Sequence, residues 1–241
     1  MKQLHNSGMS AFFLPTILFT LMLISIFATS AAHASGAQLP SVSDGTEITD
    51  TTGTAADTGN STTTPPPISD DYSHLDPDNI VPKSRLAKAL KYFDDNKSKI
   101  KNQEVIGVID FSQHSSKERF YVIDMRSGRV ETFQTAHGKG SDEDHDGYAT
   151  RFSNESGSNA SSRGIYIAAE TYEGAHGYSL KLDGKSSTNS NARSRAIVIH
   201  PADYVVAGQK SGRSWGCPAL DPRESVYVIN LLKNGAVIYA E

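Results

Sequence analysis

A break in composition near Pro82 constrains this chain more than any other feature. From Ser35 to Pro82 the residues are mainly Ser, Thr, Gly, Pro and Asp, with few large apolar side chains, and they include the run Thr62-Thr63-Thr64-Pro65-Pro66-Pro67. Such a segment cannot bury enough surface to offset the entropy lost on ordering, so it reads as a flexible linker. A core must then be built from Lys83 to Glu241, which is long enough for one domain. The linker holds acidic residues and no Lys or Arg, so the slight overall acidity belongs to it and the folded part is mildly basic. That balance weakly suits an anionic polymer. No clustered run of Lys and Arg marks a nucleic-acid surface.

Ahead of the linker, residues 1–34 have the order of an export signal. Lys2 and His5 precede an apolar run from Ala11 to Ala28, and Ala32-His33-Ala34 gives the small-x-small pattern of a cleavage site. The expectation is export to the periplasm or cell wall, with a mature chain beginning near Ser35. A retained anchor is the alternative, because the apolar run is close to the length that spans a bilayer. It would be the chain's membrane contact, since nothing later is long and apolar enough to span. No cysteine lies near this segment to carry a lipid.

Within residues 83–241 the patterning predicts mostly antiparallel β structure with one helix in front and one late. Ser84 is placed to cap a helix whose Leu86, Leu90 and Phe93 share a face and which ends near Asn96. Strands are expected at Val105–Ile109, in a hairpin of Phe120–Ile123 and Val130–Phe133, and at Gly164–Ala168, Tyr178–Leu182 and Ala196–Ile199. Asp221-Pro222 with Glu224 reads as a helix start, Asn234-Gly235 as its stop, and Ala236–Tyr239 as a last strand.

The chain has one cysteine, Cys217, which therefore makes no internal disulfide. It is either a small buried hydrophobe or a thiol kept for its chemistry. Its surroundings favour chemistry. The strand ending in Ile199 delivers His200, and a loop follows that contains Ser211-Gly212-Arg213-Ser214-Trp215-Gly216-Cys217-Pro218. A nucleophilic thiol needs a base, which a histidine at a strand end can be, and backbone N–H groups to receive an oxyanion. Gly216 permits a tight turn that aims successive amides at one spot, and Pro218 stiffens the exit.

These residues resemble the active-site signature of the L,D-transpeptidase (YkuD-like) family, in particular its murein L,D-transpeptidase-like branch. Asp110-Phe111-Ser112, Ala136-His137-Gly138, Phe152-Ser153-Asn154, Ser161-Ser162-Arg163-Gly164-Ile165-Tyr166 and His176-Gly177-Tyr178-Ser179-Leu180 extend the resemblance over nearly the whole domain. It implies a mainly β, sandwich-like catalytic domain and a Cys/His enzyme that acylates itself with a peptidoglycan stem peptide. The acyl group then passes to an amine on a second stem or a protein, or to water, which would make the enzyme a carboxypeptidase. By the same resemblance Cys217 is the nucleophile, His200 its base, and the Pro201 carbonyl a candidate to orient the imidazole. The amides of Trp215, Gly216 and Cys217 are oxyanion candidates. No metal or organic cofactor is implied. The commoner signature has His at position 215 and Arg two residues beyond the cysteine, where this chain has Ala219; Arg213 is the expected substitute. His176, Tyr178, Arg213 and Ser214 are the expected substrate contacts, with Arg163 and His137 as further candidates.

Two blander readings stand beside these. The domain could be a wall-binding module with an inert thiol. Asp142-Glu143-Asp144-His145-Asp146-Gly147 opens like a calcium loop, but Ser153 stands where the bidentate Glu belongs, so a solvated acidic loop is the expectation.

Overall fold

The computed structural model describes residues 68–241. The expected signal segment, and the expected linker up to residue 67, lie outside the described residues. Among the described residues no helix is long and apolar enough to cross a membrane.

The core is a seven-stranded mixed sheet in the order β3-β2-β1-β9-β5-β6-β7. These strands are β1 (Val105–Ile109), β2 (Glu118–Asp124), β3 (Val130–Gln134), β5 (Gly164–Gly174), β6 (Gly177–Gly184), β7 (Val198–Ile199) and β9 (Val237–Ala240). A separate parallel pair joins β4 (His137–Gly138) to β8 (Arg213–Ser214). The expected antiparallel pairings are present, and one parallel pair, β1 with β9, makes the sheet mixed.

Period-two alternation sends side chains to two cores, one on each face. On one face Ile106, Val108, Tyr121, Ile123, Val237 and Tyr239 pack with Leu86, Ala89, Leu90 and Phe93 of α1 (Lys83–Asn96). On the other, Ile109, Phe120, Val122, Tyr166, Leu180 and Ile238 pack with Val228, Ile229 and Leu232 of α2 (Pro222–Leu232). The domain is therefore mainly β with one helix before the sheet and one late, as its sequence predicts.

At the front of the domain two features differ from expectation. Pro82, not Ser84, stands at the N-cap of α1, with no side-chain cap bond, because Ser84 already lies inside the first turn. The packed body also reaches back into the expected linker: Leu75 and Val81 are buried against α1 and the sheet, and the Asp76 carboxylate accepts the amides of Ile80 and Val81 at 2.9 Å each. The late helix starts as expected, with the Asp221 side chain accepting the Arg223 amide and Pro222 in the first turn.

Candidate active site

On the α2 face, the segment from Cys217 to Leu220 runs alongside β7. The Val198 amide donates to Cys217 Sγ at 3.5 Å, the Leu220 amide donates to the His200 carbonyl at 2.9 Å, and the Ala202 amide donates to the Leu220 carbonyl at 2.8 Å. This ladder sets thiol and imidazole on two neighbouring stretches of chain. Strand β7 is shorter than expected because Ala196 takes a left-handed conformation, φ +54°. Its carbonyl is turned to the thiol, which donates to it at 3.6 Å.

His200 is buried, and its Nδ1 lies 2.9 Å from the Pro201 carbonyl oxygen. A carbonyl only accepts, so Nδ1 carries the proton and Nε2 keeps a free lone pair. Burial pushes the His200 pKa down; the Pro201 contact opposes this, and His176 lowers it further. Burial pushes the Cys217 thiol up, with the Val198 amide and Arg195 pulling the other way. The resting pair is therefore neutral thiol and neutral imidazole.

The loop before the cysteine is tied by its own side chains. Ser214 Oγ donates to the Cys217 carbonyl at 2.7 Å and accepts the Gly216 amide at 3.1 Å. This removes the Gly216 amide from the expected oxyanion donors and leaves those of Trp215 and Cys217. It also places Ser214 inside the loop, as a brace, where substrate contact had been expected. Ser161 Oγ accepts the Gly138 amide at 3.0 Å and donates to the Gly216 carbonyl at 3.1 Å, fastening β4 to the turn.

Beneath the β4–β8 pair lies a buried polar chain that the sequence reading did not assemble. Arg119 is fully buried; its Nη2 donates to His137 Nδ1 at 2.8 Å and to the Thr135 carbonyl at 2.9 Å. His137 must then accept at Nδ1 and donate from Nε2 to Asp142, 3.0 Å away. Burial, reinforced by Arg119, lowers the His137 pKa to about 4, so it is neutral. Asp142 also accepts the amides of Asp146 and Gly147 at 2.9 and 3.2 Å. Carboxylate oxygens of Asp142, Asp144 and Asp146 lie within 4.8 Å of one another. The three donors on Asp142 account for its burial without a cation.

The other expected residues are dispersed. Trp215 is 73% exposed beside the cysteine, with Lys139 Nζ 5.4 Å from its ring centre. His176 is exposed at the tip of the β5–β6 hairpin and stacks on His200. Tyr178 packs against the α2-side core and donates its hydroxyl to Asn230 at 3.1 Å, so it is held to α2. Arg213 Nη1 donates to the carbonyls of Asp142 and Glu143. The Arg163 guanidinium lies 3.8 Å from the Phe152 ring centre.

Residues 78–240 match the family described as L,D-transpeptidase catalytic domain. The chain belongs to this family. Among solved structures it is similar to an L,D-transpeptidase from Mycobacterium smegmatis, with 16% identity and a TM-score of 0.37 over 57% of this chain and 58% of that one. It is similar to an L,D-transpeptidase from Mycobacterium tuberculosis, with 16% identity, TM-score 0.38 and 57% of each chain. A third is the L,D-transpeptidase of Xylanimonas cellulosilytica, with 13% identity and TM-score 0.36 over 57% of this chain and 60% of that one. The match spans less than two thirds of these solved chains. A search among curated proteins gave no match.

Proposed function

We propose that this L,D-transpeptidase-family chain is an exported cysteine acyltransferase acting on peptidoglycan stem peptides. In this reading residues 1–34 are a signal removed on export, and a flexible linker precedes the catalytic domain in the periplasm or wall. The observation that carries the chemistry is the Nδ1–H of His200 anchored on the Pro201 carbonyl, which leaves Nε2 as a base beside the Cys217 segment.

As Sγ attacks the acyl carbon of the donor stem, His200 Nε2 takes the thiol proton. The amides of Trp215 and Cys217 receive the oxyanion. Collapse breaks the C–N bond, the leaving amine takes the proton from His200, and a thioester remains on Cys217. An acceptor amine then attacks the thioester, gives its proton to His200, and releases the thiol, which is reprotonated. Water in place of the amine would give a trimmed stem, and product analysis on purified muropeptides separates the two.

The decisive test is intact-mass spectrometry after incubation with a carbapenem, a strained acyl donor. The unaltered chain should gain one adduct, Cys217→Ala none, and His200→Ala should react at least about a hundredfold more slowly. A folded chain that forms no adduct with either a carbapenem or a tetrapeptide muropeptide would leave a wall-binding module as the better reading.

A further inference from the structure

Gly216 stands at φ +121°, and a Cβ built there would lie 2.7 Å from the Ala160 carbonyl oxygen and 3.2 Å from Arg195 Nη2. The Arg195 guanidinium is thus packed against the residue that precedes Cys217. Three neutral acceptors hold it. Nη1 donates to the Ser153 carbonyl at 2.7 Å, and Nη2 donates to the Ala160 carbonyl at 2.6 Å and to Ser158 Oγ at 3.2 Å. None of the ion pairs among the described residues uses Arg195. A cation taken partly out of water is costly when only dipoles surround it, so an anion formed nearby is strongly favoured.

Two neighbours of Arg195 can become anionic, Tyr166 and Cys217. Tyr166 is ruled out at working pH: burial pushes it up to about 12, and its hydroxyl is spent on the Ser162 carbonyl at 2.7 Å. The thiol remains. Arg213, the expected substitute cation, is turned to the carbonyls of the acidic loop.

We propose that Arg195 is the electrostatic counter-ion of Cys217, stabilising the thiolate from behind the Gly216 turn as His200 removes the proton. The proposal rests on Cys217 being the nucleophile. It makes Arg195 a positioning and field-setting residue that need not touch substrate. The titratable groups around the thiol are Arg195 before β7, His200 after it with His176 stacked above, Tyr166 on β5, and Tyr204, which burial pushes up to about 12. Of these, Arg195 supplies positive charge throughout the working range.

The test is the pH profile of alkylation of the lone cysteine by iodoacetamide, read by intact mass between about pH 6 and pH 10. Arg195→Gln should raise the apparent thiol pKa by about one unit, a roughly tenfold loss of rate at neutral pH. Arg195→Lys keeps the charge but not the forked contacts, so it should lower the melting temperature and leave the profile within about threefold of the unaltered chain. A folded Arg195→Gln chain whose profile superimposes on the original overturns the proposal. If the Gln variant does not fold, the Lys variant decides: a profile displaced in step with its lost thermal stability assigns Arg195 a packing role only. Failure of the nucleophile reading shows separately, as no carbapenem adduct on the unaltered chain, while the alkylation profile still reports on Arg195.

Discussion

The imidazole of His176 lies flat on that of His200, with ring centroids 4.4 Å apart and planes 26° from parallel. It covers the buried ring and, when protonated, sets a like charge against it, and both effects hold the His200 pKa down. We expect His176→Ala to raise that pKa. Only neutral His200 can accept the thiol proton, so the acid limb of carbapenem acylation should move to higher pH, with rates above about pH 8 changed by less than about threefold. An acid limb that stays in place would refute the stacking effect.

A methyl group on Gly138 would lie 2.3 Å from the Asn159 carbonyl oxygen and 2.8 Å from Gly216 Cα. Backbone sits on both sides, so the turn carrying Trp215 and Cys217 must give way. Gly138→Ala should retain its far-ultraviolet circular dichroism while acylation falls by about a hundredfold or more. Normal acylation kinetics would show that the β4–β8 junction does not set the site.

The neutral, buried state of His137 makes stability depend on pH. Its folded pKa of about 4 lies below its ordinary value. Between the two the unfolded chain binds more protons, so stability is present above the ordinary histidine pKa, near 6.5, and is lost as pH falls toward about 4. The loss is at most about 3 kcal/mol. Asp142, held below the usual carboxylate range by His137 and two loop amides despite its burial, has the same sign in a lower window. His137→Gln, whose amide can both accept and donate, should flatten the slope of melting temperature against pH, leaving the contribution of His200, whose pKa burial also lowers. An unchanged slope would place the titration elsewhere.

A chain beginning at Lys83 should be markedly less stable than one beginning before Ile68. It loses the buried side chains of Leu75 and Val81, worth about 1.5–3 kcal/mol each, and the Asp76 cap on two amides. Equal melting temperatures for the two chains would mean that this segment only rests on the surface.

Some of this is readable from residues alone. Phe120–Ile123 and Val130–Phe133, parted by Ser127-Gly128, mark their hairpin, and the first of them is apolar throughout because each face of the sheet meets its own core. Cys217 and His200 stand out in the sequence because a lone cysteine between Gly216 and Pro218 and a histidine at a strand end are residue types whose chemistry depends on their setting. Leu75 and Val81 escape notice as isolated apolar residues in a polar stretch, with no period to announce burial. The Arg119–His137–Asp142 chain draws on three separate elements, and Arg195 matters through a contact with a turn far along the chain. No local pattern encodes such contacts; only the closed sheet creates them.

The middle of the sheet belongs to β9, which comes after every other strand in the chain. It joins the β1–β2–β3 half of the sheet to the β5–β6–β7 half, and the Glu241 backbone beyond it bonds to Ile109 and Phe111. Without that strand the two halves of the sheet have no backbone partner between them. Most of the chain therefore precedes the strand that completes the sheet, so the contacts that bind the two halves are of long range in sequence and late in availability, the kind of pairing that slows folding.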